Sequence, residues 1–145
     1  MGRASEPDVT MGVVMSLEKT VVQEGPFAQF IPEGVRAGNL IFLSGQVSID
    51  EQGEVVAPGD LVAQARQAYT HVKATLEKLG AGMEDIVDET FFVTDVGAAM
   101  GNIESLWAAR AEAYGGDPRV SQTMLQIAGL VMPELMIEIK VTAIV

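Results

Sequence analysis

Apolar and polar residues alternate most regularly near the end of the chain. Over Met136–Ile144, Ile137, Ile139, Val141 and Ala143 interleave with Glu138, Lys140 and Thr142, the period of two that sends successive side chains to opposite faces of a sheet. A further strand is predicted over Thr123–Ile127, joined to the last one by a connection containing Gly129 and Pro133. Earlier, Leu17–Val22 and Leu40–Ser44 have the length and apolar content of strands. The turn pair Gly38-Asn39 leads into the second of these and Gly45 ends it, so the two are expected to be antiparallel neighbours. Between them lie the turn formers Glu24-Gly25-Pro26 and the segment Phe27-Ala28-Gln29-Phe30-Ile31. Val87–Val93 alternates less cleanly and is read as one more strand.

Two stretches have helical spacing instead. Leu61, Ala65, Ala68, Val72, Leu76 and Leu79 recur every three or four residues and form one apolar stripe,. Asp60, after Pro58-Gly59, is placed to cap the start of this helix and Gly80 its end, while Asp50–Gly53 carries turn residues. His71 flanks the stripe and reads as an ordinary boundary histidine. A second helix is predicted over Ala98–Tyr114, its apolar face made by Ile103, Leu106, Trp107, Ala111 and Tyr114, with Asp95 capping the approach.

The order of elements predicts an α+β domain in which both helices lie on one face of a mixed sheet. Residues 16–145 are long enough for a single core. Residues 1–15 have no sustained period and read as a flexible leader with an alternative start at Met15; Glu6 breaks the myristoylation pattern that Gly2 would otherwise begin. The sheet face away from the helices, to which Met124 and Met136 are assigned, has nothing in the chain to cover it. Burial against other copies, a homo-oligomer, is the expected solution.

Composition narrows the chemistry. Against 9 basic side chains stand 20 acidic ones, a net charge of −11, which opposes contact with phosphate backbones and anionic membranes. No nucleic acid or membrane partner is expected. The chain has no cysteine and one histidine, so disulfides and cysteine nucleophiles are excluded, and zinc or serine–histidine chemistry would rest on His71 alone. No metal and no cofactor are expected. No apolar run approaches the ~20 residues of a membrane span, and no signal-type apolar region is seen, so the reading is of a soluble, cytoplasmic protein. Carboxylates, arginine, amides, hydroxyls and backbone groups remain as working groups. Glu138, held between two isoleucines, is the most suggestive of them.

Four segments together resemble the RidA family, the reactive intermediate (enamine/imine) deaminases also called YjgF or L-PSP. They are Gly25-Pro26-Phe27-Ala28-Gln29, similar to GPYSQA; Leu43-Ser44-Gly45-Gln46-Val47, similar to TSGQI; Gly53-Glu54-Val55 with Gln64-Ala65-Arg66-Gln67 and Val72-Lys73-Ala74, similar to GEV…QARQ…VKA; and Ile137-Glu138-Ile139, similar to IEIEAIA. Each motif is short, and their order and spacing carry the likeness across residues 17–145. The resemblance implies a chorismate-mutase-like fold and a homotrimer whose sheets form a central barrel. It also implies cofactor-free hydrolysis of small enamines and imines, such as 2-aminoacrylate, to a 2-keto acid and ammonia in clefts between subunits, as in a 2-iminobutanoate/2-iminopropanoate deaminase. Phe27 stands where the family has a cleft tyrosine, Ser44 and Gly45 stand in the cleft turn, and Glu138 falls on the glutamate that handles water. Such a role is chemically sound, because a half-buried carboxylate can orient a water molecule and take its proton.

The chain departs from the family in the preceding strand. Matching VxVAxL to Leu125–Leu130 puts Gln122 where the resemblance places an arginine that grips the substrate carboxylate. Arg119 lies three residues earlier, about 10 Å along an extended strand and on its other face. A neutral amide contributes on the order of 1 kcal/mol where a charged donor gives about 1.5–3. Gln122, Met124 and Gln126 share a strand face by alternation and are expected to look into the same cleft as Glu138. Where the family has an asparagine before the helix aromatic, this chain has Glu104, with Asn102 two residues away; Arg66 and Arg110 read as solvated helix residues. Two functions follow from this pattern. One is a hydrolase with Glu138 on water and Gln122 on substrate; the other is a trimeric small-molecule-binding or regulatory protein without the chemistry. The family has also been described as ribonucleolytic, and the charge with no basic stripe argues against that for this chain.

Overall fold

The computed structural model describes Gly12 and residues 16–145; apart from Gly12, the expected leader over residues 1–15 lies outside the described residues. Strands β1 (Lys19–Val22), β2 (Gly34–Ala37), β3 (Leu40–Leu43) and β4 (Gln46–Val47) precede helix α1 (Leu61–Lys78). Strand β5 (Ile86–Val93), helices α2 (Val96–Gly101) and α3 (Ile103–Tyr114), and strands β6 (Ser121–Gln126) and β7 (Ile137–Ile144) follow. The strands form one mixed sheet ordered β1-β2-β3-β7-β5-β6, with β4 also on β7. The α+β class is as the alternation and the helical stripe predict.

Local signals act where expected. The Asp60 carboxylate accepts from Ala63 N to start α1, and Gly80, at φ +79, reverses the chain after it,. Ala65, Ala68, Val72 and Leu76 are buried on the sheet. The predicted second helix is broken in two at Asn102, whose side-chain amide donates to Ala98 O at 2.8 Å while its own backbone leaves helical geometry. An asparagine side chain competes with the helix for backbone partners, and here it ends α2.

Strand neighbours differ from the expectation in two places. The short β2 lies between β1 and β3, pairing with both; it contains a glycine and an arginine in four residues and carries no alternation of its own. It is created by the two-residue turn Gly38-Asn39, where Gly38 adopts φ +61,. The last two strands are not adjacent either. β5 runs between them, antiparallel to β7 and parallel to β6, which makes β6 an edge strand.

The main core lies between the sheet and the helices, with Ile41, Leu43, Phe91, Val93, Ile137, Ile139 and Val141 facing α1 and α3. Met124 pairs with Phe91, and both Met124 and Met136 pack against this core, which corrects their assignment to the uncovered face. That face is nevertheless apolar, through Leu40, Phe42 (47% exposed), Val87, Leu125 and Ile144, and no described helix covers it.

Candidate functional site

Pairing along β7 sets up the site. Phe42 lies opposite Thr142 and Gln46 opposite Ile139, so Leu43, Ser44 and Gly45 face only Lys140 and Val141. One extra residue in an antiparallel pair is a β-bulge, a device that bends a strand and re-aims its neighbours. The bulge falls on Ser44-Gly45, next to Glu138. A Cβ on Gly45 would lie 2.5 Å from the Glu138 carboxyl carbon, so the glutamate occupies space that only glycine leaves.

The bulge opens a cavity of about 770 Å³ whose wall includes Phe27, Ser44, Gly45, His71, Lys78 and Glu138. Four residues singled out from the sequence therefore meet in one place. Phe27 is held by the turn Gly25–Ile31, in which Phe30 N and Ile31 N both donate to Phe27 O at 2.8 and 3.1 Å. Its ring packs on a small second cluster of Val47, Ile49 and Leu135. The Ser44 hydroxyl donates to Pro32 O at 2.6 Å, and Gln46 Nε2 donates to Ser44 O at 2.9 Å, so the bulge is tied to the loop before β2. The Glu33 carboxylate accepts from the backbone N–H groups of Glu24 and Gly25 and fixes the other rim.

Glu138 is half-buried, and among the described residues no donor reaches its carboxylate. Burial pushes its pKa above the usual carboxylate range, against the opposing charge of Lys140,. Lys140 Nζ is itself engaged, donating to Leu43 O. A carboxylate that is partly desolvated, unpaired and set in a concave wall can hold a water molecule and accept its proton.

Gln122 and Met124 are not part of this arrangement within one protomer. Gln122 pairs with Glu89 across β5/β6, and Glu89 is completely buried under the helices. Glu138 instead pairs with Phe92, on the opposite face of the sheet. The expectation that Gln122 and Met124 share a face with Glu138 is therefore corrected: β5 separates their strands, and register places them on the helix side. Gln122 Nε2 is buried without a partner among the described residues.

Arg110 is also reassigned. It is not solvated: its Nε donates to Glu89 Oε1 at 2.6 Å, and its guanidinium carbon sits 5.4 Å from the ring centres of both Trp107 and Tyr114. Glu89 Oε2 accepts the hydroxyls of Tyr69 at 2.6 Å and Tyr114 at 2.8 Å. Burial, and then the Glu89 charge and hydrogen bond, push both tyrosine hydroxyls far above their ordinary value. Arg66 does lie in solvent, in a loose pair with Glu112 at 3.3 Å. Asn102 joins α2 to α3 and is absent from the cavity wall.

His71 and Lys78 were not singled out as site residues. His71 Nε2 lies 2.8 Å from Ile49 O, and Lys78 Nζ is 2.9 Å from the Glu24 carboxylate. The signal was available: His71, Thr75 and Lys78 lie at helical spacing on one side of α1, and all three line the cavity,.

Comparison with known proteins agrees with the fold and with the motifs. Residues 22–145 match the family model described as Endoribonuclease L-PSP. A RutC family protein of Haemophilus influenzae is 42% identical over 87 residues, 59% of this chain and 62% of that protein, so the match spans under two thirds of that relative. A RutC family protein of Pyrococcus abyssi is 31% identical over 120 residues, 81% of this chain and 85% of that protein. Among solved structures, Escherichia coli TdcF with bound serine is similar at a TM-score of 0.68 and 28% identity, covering 79% of this chain and 87% of that one. YyfA of the conserved Rid protein family from Yersinia pestis superposes at 0.77 with 23% identity, over 88% of this chain and all of that one, and supports the fold alone.

Proposed function

The chain belongs to the endoribonuclease L-PSP family, also known as YjgF or RidA, and from that premise we propose that it is a hydrolase of small enamines and imines, with the Glu138 cavity as its active site. The observation that carries this reading is Glu138 itself, a half-buried and unpaired carboxylate at a bulge that Gly45 keeps open. Imine hydrolysis needs water delivered to a carbon made electrophilic by protonation of the nitrogen, and this carboxylate is suited to deliver it. Phe27 supplies an apolar wall, and Ser44 with Gly45 shapes the turn.

We further propose that the protein works as a homotrimer. The uncovered sheet face with Phe42, Leu125 and Ile144 supports assembly,, and the family likeness supports the number. Gln122 and Met124, on an edge strand, would then contribute to a cleft through a neighbouring copy, the one arrangement in which they could meet a substrate beside Glu138.

The test is release of ammonia or amine from a panel of freshly generated enamines and imines, with and without a carboxylate. Turnover above the buffer rate, lost in Glu138→Ala, is expected; no acceleration over buffer for any compound would end the proposal. A second reading, a small-molecule-binding protein without chemistry, is favoured by one observation: among the described residues no arginine lines the cavity. Thermal stabilisation by metabolites without turnover would decide for it.

A further inference from the structure

The charges around the cavity bear on what can enter it. Its wall carries the carboxylates of Glu24, Glu33, Asp50, Glu51 and Glu138. Against them, among the described residues, stand one ammonium in the wall, Lys78, already committed to Glu24 at 2.9 Å, and one behind it, Lys140, which donates to Leu43 O and acts on Glu138. His71 Nε2 faces the Ile49 carbonyl. Two of the carboxylates are occupied by backbone donors: Asp50 accepts from Gln52 N and Glu54 N, and Glu33 from Glu24 N and Gly25 N. Backbone N–H groups satisfy lone pairs and leave the negative charge in place. Arg110 could have balanced it, and instead is paired with the buried Glu89 and does not line the cavity. Gln122 is neutral and stands beside Glu89.

An anionic substrate meets like charge from several directions in such a cavity and finds no bidentate cation to hold it. A cationic or neutral one meets attraction. We infer that the substrates of this cavity are carboxylate-free imines, entering as the protonated iminium, and not the imines of 2-keto acids. The inference rests on the hydrolase reading above and sharpens it to a substrate class.

The chemistry balances without any further reagent. As water oxygen bonds to the iminium carbon, the C=N π pair moves to nitrogen and the water proton passes to Glu138. The carbinolamine then takes that proton on nitrogen, the C–N bond breaks as a lone pair of the hydroxyl oxygen forms C=O, and the hydroxyl proton passes through Glu138 to the departing amine, so that iminium and water give a carbonyl compound and an ammonium ion. Nothing is oxidised or reduced. The iminium charge sits beside Glu138 at the start, and it disappears from carbon as the carboxylate is protonated.

The test uses matched probes on the full chain. N-Benzylidenemethylamine and its 4-carboxy derivative differ by one carboxylate, and both report hydrolysis through the aldehyde absorbance. Benzamidine and benzoate are stable binding probes of the same size, followed by calorimetry. Hydrolysis of the carboxylate-free imine is expected to be faster by at least about tenfold, and benzamidine to bind tighter than benzoate by a similar factor. Glu24→Gln, which frees Lys78, should narrow the binding difference. Faster hydrolysis of the carboxylated imine, or tighter binding of benzoate, overturns the inference and leaves the hydrolase reading standing. Benzamidine binding with neither imine hydrolysed keeps the ligand class and overturns the hydrolase reading. Neither binding nor hydrolysis overturns both.

Discussion

Gly45→Ala separates the role of the bulge in function from its role in folding. An added Cβ meets Glu138 Cδ at 2.5 Å and Cγ and Oε1 at 2.8 Å, whereas ordinary contact begins at 3.4 Å. The carboxyl group must therefore retreat by about 0.9 Å. Gly45 is not among the glycines held at positive φ, so alanine adds no backbone strain, and the atoms in the way belong to a flexible side chain. Pushing that side chain off its rotamer costs about 0.5–1.5 kcal/mol. Displacing a catalytic group by about 1 Å costs on the order of a hundredfold in rate, roughly 2.7 kcal/mol at the transition state. Function should thus fall further than stability. Steady-state hydrolysis of the benzylidene imine should drop about a hundredfold in kcat/KM, while Tm falls by no more than about 5 °C. A folded variant that turns over like the wild type would refute the placement of Glu138 beside Gly45 as the working geometry.

Five further outcomes are expected. Because burial raises the Glu138 pKa, its proton is held more tightly in the folded state; the stabilisation is present at acid pH and is lost as pH rises through the raised value. Glu138→Gln should therefore raise Tm near neutrality while abolishing turnover, and a Tm gain that fails to grow from pH 4 to pH 7 would contradict the burial argument. Lys140 opposes that shift, so Lys140→Met should move the acid limb of kcat/KM to higher pH; a downward move would assign the limb to another group. The chain has only two tyrosines, and both donate to Glu89. Their raised pKa values mean that stability is intact below about pH 10 and is lost above it, so tyrosinate absorbance should appear together with unfolding, not as a separate titration near pH 10 in the folded protein. Arg110→Met should destabilise by about 3–5 kcal/mol, because it strands the buried Glu89 charge, and Glu89→Leu in the same chain should recover much of that loss; equal Tm values for the single and double variants would argue against the pair. Phe42→Glu should lower the solution mass from three times the 15.4 kDa chain mass towards a single copy, since a trimer would bury that charge unpaired.

The parts of the fold legible in the sequence are those with a complete local cause. Strand β7 has four apolar residues in strict alternation, and α1 has a cap at each end and one stripe; both stand where the pattern puts them. Four of the site residues were legible through short motifs, and Phe27, Ser44, Gly45 and Glu138 do meet. What could not be read depends on partners distant in sequence. Nothing local to Gly34–Ala37 says strand, because its order comes from β1 and β3 on either side. Alternation within β6 correctly grouped Gln122 with Met124, but which face that group takes depends on β5 coming between β6 and β7. One intervening strand and its register decided the matter. Arg110 was read as solvated from its place on a helix, and only the tertiary position of Glu89 shows otherwise.

These placements explain why glutamine suits position 122. Glu89 stands on the helix side of the sheet with Gln122 paired to it from one side and Arg110 bonded to it from α3. An arginine at 122 would bring a second guanidinium to a carboxylate whose oxygens are already taken by Arg110, Tyr69 and Tyr114. Two cations would then share one buried anion, with one of them short of a partner in low dielectric. A neutral amide avoids that repulsion. The chain carries a guanidinium inside the helix layer, on Arg110. There it ties α3 to β5 and is absent from the wall of the Glu138 cavity.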